Sequence, residues 1–297
     1  MLIAVGIVLV CLAAAAVALF RHPLAVTKWL RRGALRRAGF RMAKVPASFG
    51  AQAVWHGGQG PMLVLLHGAG DHAGTWFRVA PALARRFRVV MPDLAGHGES
   101  EPTSGILRLA TLCTALEEVL NSADFRTGNF ILGGNSLGAW LALIYATKNP
   151  ARVTRLVLID GGPLRDLPDG LTLTPQTRAE ALRTFDAVLD RSSPRPPGFV
   201  LDDVIRATNR GAMARLMAAG PEDRARNLLE DDLPRLSVPT DLVWGASDGL
   251  LPLAYARELQ SRIPGARLSV IDNCGHAPQL EHPRAFLEVL TRILASS

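Results

Sequence analysis

Beyond residue 60, short runs of Val, Ile, Leu and Met alternate with longer stretches in which apolar residues return every three or four positions. A run that is apolar at every position is covered on both faces, as in a parallel sheet, while a 3.6-residue return marks a helix with one buried side. The pattern predicts strands over 62–66, 88–91, 129–132, 156–159, 241–244 and 268–271, and helices over 76–86, 107–120, 137–147, 253–262 and 284–294. Strand and helix in alternation predict an α/β fold, a mainly parallel sheet flanked by helices. A hairpin is expected at one edge, over 47–56, and no internal repeat is present.

One interval breaks the alternation. Between Gly162 and Ser237 no strand pattern occurs, and helical pieces at 175–190, 202–208, 212–218 and 222–229 are separated by Pro and Gly. An insertion after the strand that ends at Asp160 falls at the carboxyl rim of the sheet, where such sheets bind ligands, so a helical cap acting as a lid is expected there. Its candidates for substrate contact are Leu182, Phe185, Leu189, Phe199, Val204, Leu216 and Met217. The resulting division is a core in two parts, 47–162 and 238–297, with the cap at 163–237 between them.

The amino-terminal pattern is different. Residues 2–20 carry no charge and, at about 1.5 Å per residue, nearly match the roughly 30 Å of a hydrocarbon core. The rival to a membrane span is a cleaved signal peptide, for which Ala16-Val17-Ala18 offers a processing site. No Lys or Arg precedes the apolar run and many follow it, so a transmembrane anchor over 1–20 is expected, single-pass, with the body on the cytoplasmic side. Residues 21–46 are then expected to be a basic juxtamembrane segment. Either its Arg and Lys face anionic headgroups while Trp29, Leu30, Leu35 and Phe40 dip toward the acyl boundary, or it is a solvated linker.

Composition sharpens the picture at two points. With 48% hydrophobic and 20% charged residues, a disordered chain is excluded. The formal charge of +7 suggests a nucleic-acid binder until its distribution is read. Of 33 Lys and Arg, eight lie before residue 45 in a stretch without Asp or Glu, leaving 25 against 26 acidic residues in the body. No nucleic-acid partner is expected. Cys113 and Cys274 are read as thiols in a cytoplasmic setting, and no metal-spaced cluster or phosphate loop occurs, so no cofactor is implied.

The candidate chemistry follows the strand at 129–132. Gly133-Gly134-Asn135-Ser136-Leu137-Gly138 carries the G-x-S-x-G spacing, placed between a predicted strand and a predicted helix. A nucleophilic Ser on that sharp turn needs a strained backbone, and small residues two positions to either side relieve the crowding. Ser136 is the candidate nucleophile. It needs a base and a carboxylate to orient that base. His276 follows the last strand in a loop, and Asp248 follows the strand before it. Asp160, also at a strand end, is the competing acid. The other histidines are weaker: His67 and His97 sit in Gly-flanked turns, and His72 lies toward an entrance. The oxyanion needs preorganised donors, worth about 3 kcal/mol each. The Ala69 and Leu137 main-chain N–H groups are the candidates, with Gly70 as substitute for Ala69.

His67-Gly68, Asp93 to Ser100 (DLAGHGES), GNSLG around Ser136, GASD around Asp248 and GHAP around His276 together resemble the α/β-hydrolases of the capped esterase and lipase type, from about Pro61 to the C-terminus. The Asn135-Ser136 pair also resembles the carbon–carbon bond hydrolases of that fold, and the apolar amino terminus is similar to that of membrane-bound monoacylglycerol lipases. Ser at the elbow departs from the epoxide- and halide-removing relatives, which use Asp. The expected function is a serine hydrolase cleaving a lipophilic or acyl-chain-bearing carboxylic ester through an acyl-enzyme. The expected partners are a small-molecule ester, of lipid type, and the membrane. Two other classes stay open: a nicotinamide-dependent oxidoreductase, because Gly68 to Ala73 fits G-x-G-x-x-A with Asp93 following, and a non-catalytic binder on the same scaffold.

Overall fold

The computed structural model describes residues 17–126, 128–163 and 166–295. Its sheet contains β1 (Arg41–Val45), β2 (Gln52–Gly57), β3 (Met62–Leu66), β4 (Arg88–Pro92), β5 (Phe130–Asn135), β6 (Val153–Ile159), β7 (Thr240–Gly245) and β8 (Arg267–Ile271). They lie in the order β1-β2-β4-β3-β5-β6-β7-β8. The β1–β2 and β2–β4 pairs are antiparallel and the rest are parallel.

Side chains alternate across this sheet and build two cores. Met62, Val64 and Leu66 of β3 join one, Leu63 and Leu65 the other. On the first face pack α3 (Leu109–Asn121), α4 (Leu137–Lys148) and α9 (Leu253–Arg262). On the second pack α1 (Pro23–Arg37), α2 (Ala80–Leu83) and α11 (Pro283–Ala295). Helix α4 is buried on every side from Leu137 to Ala146, where the spacing predicts one buried side. Trp55, Trp76 and Trp244 are fully buried, each stabilising the fold by on the order of 2 kcal/mol. The helix predicted over 76–86 is cut to a 3₁₀ turn at Ala73–Trp76 and the one-turn α2, because Pro81 sits at the start of α2 and bars an approaching helix from running through it. The hairpin lies earlier than expected, its first strand inside the basic segment. Arg41 is exposed and Lys44 bonds the Glu99 carbonyl, so a run of basic residues concealed a strand.

The transmembrane expectation is corrected. Residues 1–16, most of the expected span, lie outside the described residues; among the described residues no helix is long and apolar enough to cross a membrane, and the single-pass placement with a cytoplasmic body falls with it. Residues 17–21 are helical, His22 interrupts, and Pro23 opens α1. The basic residues of α1 find protein partners. Arg32 is buried and pairs with Asp93 at 3.0 Å and with Glu99. Lys28 donates to the Gly98 carbonyl, and Arg36 lies over the Trp55 ring at 5.3 Å. Leu35 and Phe40 are in the core, while Trp29 and Leu30 stay exposed.

Between β6 and β7 stand α5 (Arg178–Val188), α6 (Gly198–Arg210), α7 (Ala212–Met217) and α8 (Gly220–Ala225), all over the carboxyl end of the sheet. Thr177 caps α5 by accepting from the Glu180 N–H. The cap is tied down on three sides. Asp223 accepts the Leu109 N–H at the start of α3, Asp203 accepts the Leu24 N–H of α1, and Arg215 donates to the Gly105 carbonyl.

Candidate active site

Strand β5 ends at Asn135 and α4 begins at Leu137, so the whole reversal falls on Ser136, at φ 56° and ψ −119°. That left-handed backbone is costly for a residue with a Cβ and persists where its surroundings impose it. Here strand and helix all but touch. A Cβ at Gly134 would lie 2.3 Å from the Gly138 backbone, and one at Gly138 would lie 2.4 Å from the Leu66 carbonyl. The Ser136 N–H donates to the Ile159 carbonyl at 3.0 Å, fastening the turn to β6.

The loops after β7 and β8 bring the other two candidates together. Asp248 and His276 are both buried, and His276 Nδ1 stands 2.7 Å from Asp248 Oδ2. Asp248 Oδ1 accepts the N–H groups of Leu250 and Leu251, each at 2.9 Å. With the Nδ1 proton committed to Asp248, Nε2 is left as the acceptor, and it is buried without a hydrogen-bond partner. His276 and Ser136 share the wall of one cavity of about 310 Å³. The His276 main chain is pinned from both sides: its N–H donates to Val188 in the cap at 2.7 Å, and its carbonyl accepts from Asn135 Nδ2 at 2.9 Å. Asn135 also donates to Ile159 and accepts from Gln279. Its place next to Ser136 is visible in the sequence; its hold on a loop 141 residues away is not.

Ala69 and Leu137 line the smaller cavity, about 70 Å³, that adjoins Ser136, and among the described residues neither main-chain N–H is used in a hydrogen bond. Gly70 lines neither cavity and turns at φ 74° beside Met213. Asp160 does not reach the imidazole; its Oδ1 accepts the Gly245 N–H at 2.7 Å. His67, His72 and His97 are held in structural hydrogen bonds. His67 Nε2 accepts the Leu94 N–H, His72 Nδ1 accepts the Gly74 N–H, and burial holds His72 and His97 down at about 3. His72 thus caps a turn and does not sit at an entrance. Among the described residues no group of three or more His, Cys, Asp or Glu is placed to hold a metal ion.

Residues 63–289 match the profile of the Alpha/beta hydrolase family. The chain belongs to that family. A pimeloyl-[acyl-carrier protein] methyl ester esterase of Aromatoleum aromaticum is 34% identical over 242 residues, 75% of this hydrolase and 94% of the relative. A 2-hydroxy-6-oxononadienedioate/2-hydroxy-6-oxononatrienedioate hydrolase of Cupriavidus pinatubonensis is 28% identical over 260 residues, 79% and 86% of the two chains. Among solved structures, a membrane phospholipase A described as a bacterial virulence factor superposes with a TM-score of 0.77 at 26% identity, covering 100% of this chain and 99% of that one. The dinucleotide reading of Gly68 to Ala73 loses its chemistry as well. Asp93, the expected ribose ligand, is consumed by the Ala73 and Glu99 N–H groups and by Arg32.

Of the cap residues expected to meet substrate, Phe185, Leu189 and Val204 line the larger cavity and Leu216 and Met217 the smaller. Leu182 lines neither, and Phe199 packs tilted against Phe20 at 4.9 Å between ring centres. Leu173, Val188, Met213 and Leu280 also line the larger cavity; Val188 and Met213 fall in the expected cap helices, while Leu173 comes from irregular chain and Leu280 from a one-turn helix.

Proposed function

We propose that this hydrolase cleaves a lipophilic carboxylic ester through an acyl-enzyme, with Ser136 as nucleophile, His276 as base and Asp248 as the acid that orients it. The observation that carries the reading is the His276–Asp248 pair at 2.7 Å with an unpartnered Nε2 on the cavity that Ser136 borders. In the reaction Ser136 Oγ attacks the ester carbonyl as Nε2 takes its proton, and Asp248 stabilises the imidazolium. The negative oxygen is held by the Ala69 and Leu137 N–H groups, the second at the positive end of α4. Collapse expels the alcohol with the proton from Nε2, and a water activated by the same nitrogen releases the acid.

The substrate class rests on the cavity lining. Leu173, Phe185, Val188, Leu189, Val204 and Met213 make it apolar, and the esterase and phospholipase relatives act on acyl compounds by name. The Cupriavidus relative is named for dicarboxylate substrates. The larger cavity has no Lys or Arg among its described lining residues, so it offers a dianion no lining cation. A neutral ester with an apolar acyl chain fits better. Hydrolysis of a p-nitrophenyl ester series tests this: kcat/KM should hold or rise from acetyl to longer acyl chains. Turnover confined to acetyl and other short polar esters would reject it.

A further inference from the structure

Asp160 ends β6 one residue past Ile159 and is fully buried, with a left-handed backbone at φ 40°. The fold accepts strain there for a residue that, on the reading above, touches neither substrate nor imidazole. Its main chain is fixed by the Asp160 N–H to Val243 carbonyl bond at 3.0 Å. The carboxyl is fixed through Oδ1, which accepts the Gly245 N–H. The other oxygen, Oδ2, is buried and has no donor. The Asp248 carboxylate, which when ionised can only accept, lies beside the Asp160 side chain. The neighbouring Gly161 is pressed against the elbow, where a Cβ would lie 2.4 Å from the Ser136 carbonyl, so Asp160 cannot move away without disturbing the nucleophile turn.

Two ionised carboxylates in contact, buried with an unpartnered oxygen, are a costly arrangement. One proton between them removes the conflict and supplies the missing hydrogen bond. We propose that Asp160 is a positioning residue that keeps its proton and donates it to the Asp248 carboxylate, so that Asp248 stays ionised and aimed at His276 Nδ1. Asp248 then has four donors: the Leu250 and Leu251 N–H groups, His276 Nδ1 and the Asp160 hydroxyl. Burial and the charge of Asp248 both push the Asp160 carboxyl well above the ordinary carboxylate range, and the Glu281 carboxylate of α10 (Pro278–Glu281) pushes the same way. The Cys274 thiol, near enough to feel the Asp160 carboxyl, is itself raised by burial and by these carboxylates. A neutral buried acid donating to a working group is a known device for holding charge in an active site.

This inference rests on the proposed roles of Asp248 and His276, and the test separates the two. The pH profile of kcat/KM on a short-chain ester is measured for the full chain and for Asp160→Asn and Asp160→Leu. The acid limb reports His276. Asn keeps a donor and adds no charge, so the limb should stay in place while kcat falls severalfold. Leu removes the donor, leaves Asp248 more strongly attracting the imidazolium, and should move the limb up by roughly 0.5 to 1 pH unit. If Asp160 were ionised, either substitution would delete a negative charge and move the limb down, which would overturn the proposal. An unmoved limb in a folded Asp160→Leu variant would overturn it too. Should that variant fail to fold, infrared spectroscopy decides: a protonated-carboxyl band at neutral pH, lost in Asp160→Asn, is expected, and its absence from the wild type contradicts the assignment. The infrared arm does not need ester turnover, so it stands even where the hydrolase reading fails.

Discussion

At the scale of single residues, the site is a set of committed partners around one uncommitted nitrogen. Asp248 spends Oδ1 on two main-chain N–H groups and Oδ2 on His276, which fixes the imidazole tautomer and leaves Nε2 facing chemistry. Asp248→Asn keeps the shape and the loop bonds but reverses that tautomer preference, so kcat should fall by about 10⁴-fold with the melting temperature little changed. Steady-state kinetics beside a thermal melt check it. A fall of less than tenfold would remove Asp248 from the proposed mechanism. Ser136, Asp248 and His276 were legible in the sequence because each follows a strand and sits among small residues whose spacing has a steric cause. Asp160 was legible only as a competitor for the acid. Its contact with Asp248 comes from the side-by-side ends of β6 and β7, which no local pattern encodes.

At the scale of elements, the site is where separate pieces are fastened to one another. The carbonyls at the end of α5 accept from both loops that matter: Ala187 from Gly249 beside Asp248, and Val188 from His276. The end of α5 is therefore bonded to the loops of Asp248 and His276 together. Asn135 makes the complementary tie from β5 to the His276 carbonyl and to β6. Asn135→Ala takes the donor from the buried His276 carbonyl, while the Ile159 carbonyl keeps the Ser136 N–H, and should cost about 1 to 3 kcal/mol of stability. It should lower kcat more than it raises KM, since the bond positions His276, the proposed base. Chemical denaturation and a kcat against KM comparison check both parts. The strands and long helices were legible because their periodicity reflects two-sided or one-sided burial. The helix at 76–86 was not, since its apolar spacing survives although Pro81 breaks the backbone. Strand β1 was hidden because its exposed positions hold Arg41 and Lys44 at the sheet edge.

At the scale of the whole molecule, the amino-terminal helix is the largest departure from expectation. Its charge left open a headgroup-facing helix or a solvated linker, yet Arg32 compensates the buried Asp93 and Leu35 completes the second core, so α1 is part of the body. Net charge along the sequence cannot distinguish a guanidinium in water from one that neutralises a carboxylate 61 residues away. The same helix also holds the cap through Leu24 and Asp203, which makes core, cap and amino-terminal helix one connected structure around the cavity. The central claim, that this assembly activates one serine, is tested most directly by treating the full chain with a fluorophosphonate and mapping the modified peptide. The expected result is a single adduct on Ser136, absent from a Ser136→Ala variant that melts cooperatively. An adduct on another serine, or no adduct on folded wild-type protein, would contradict it.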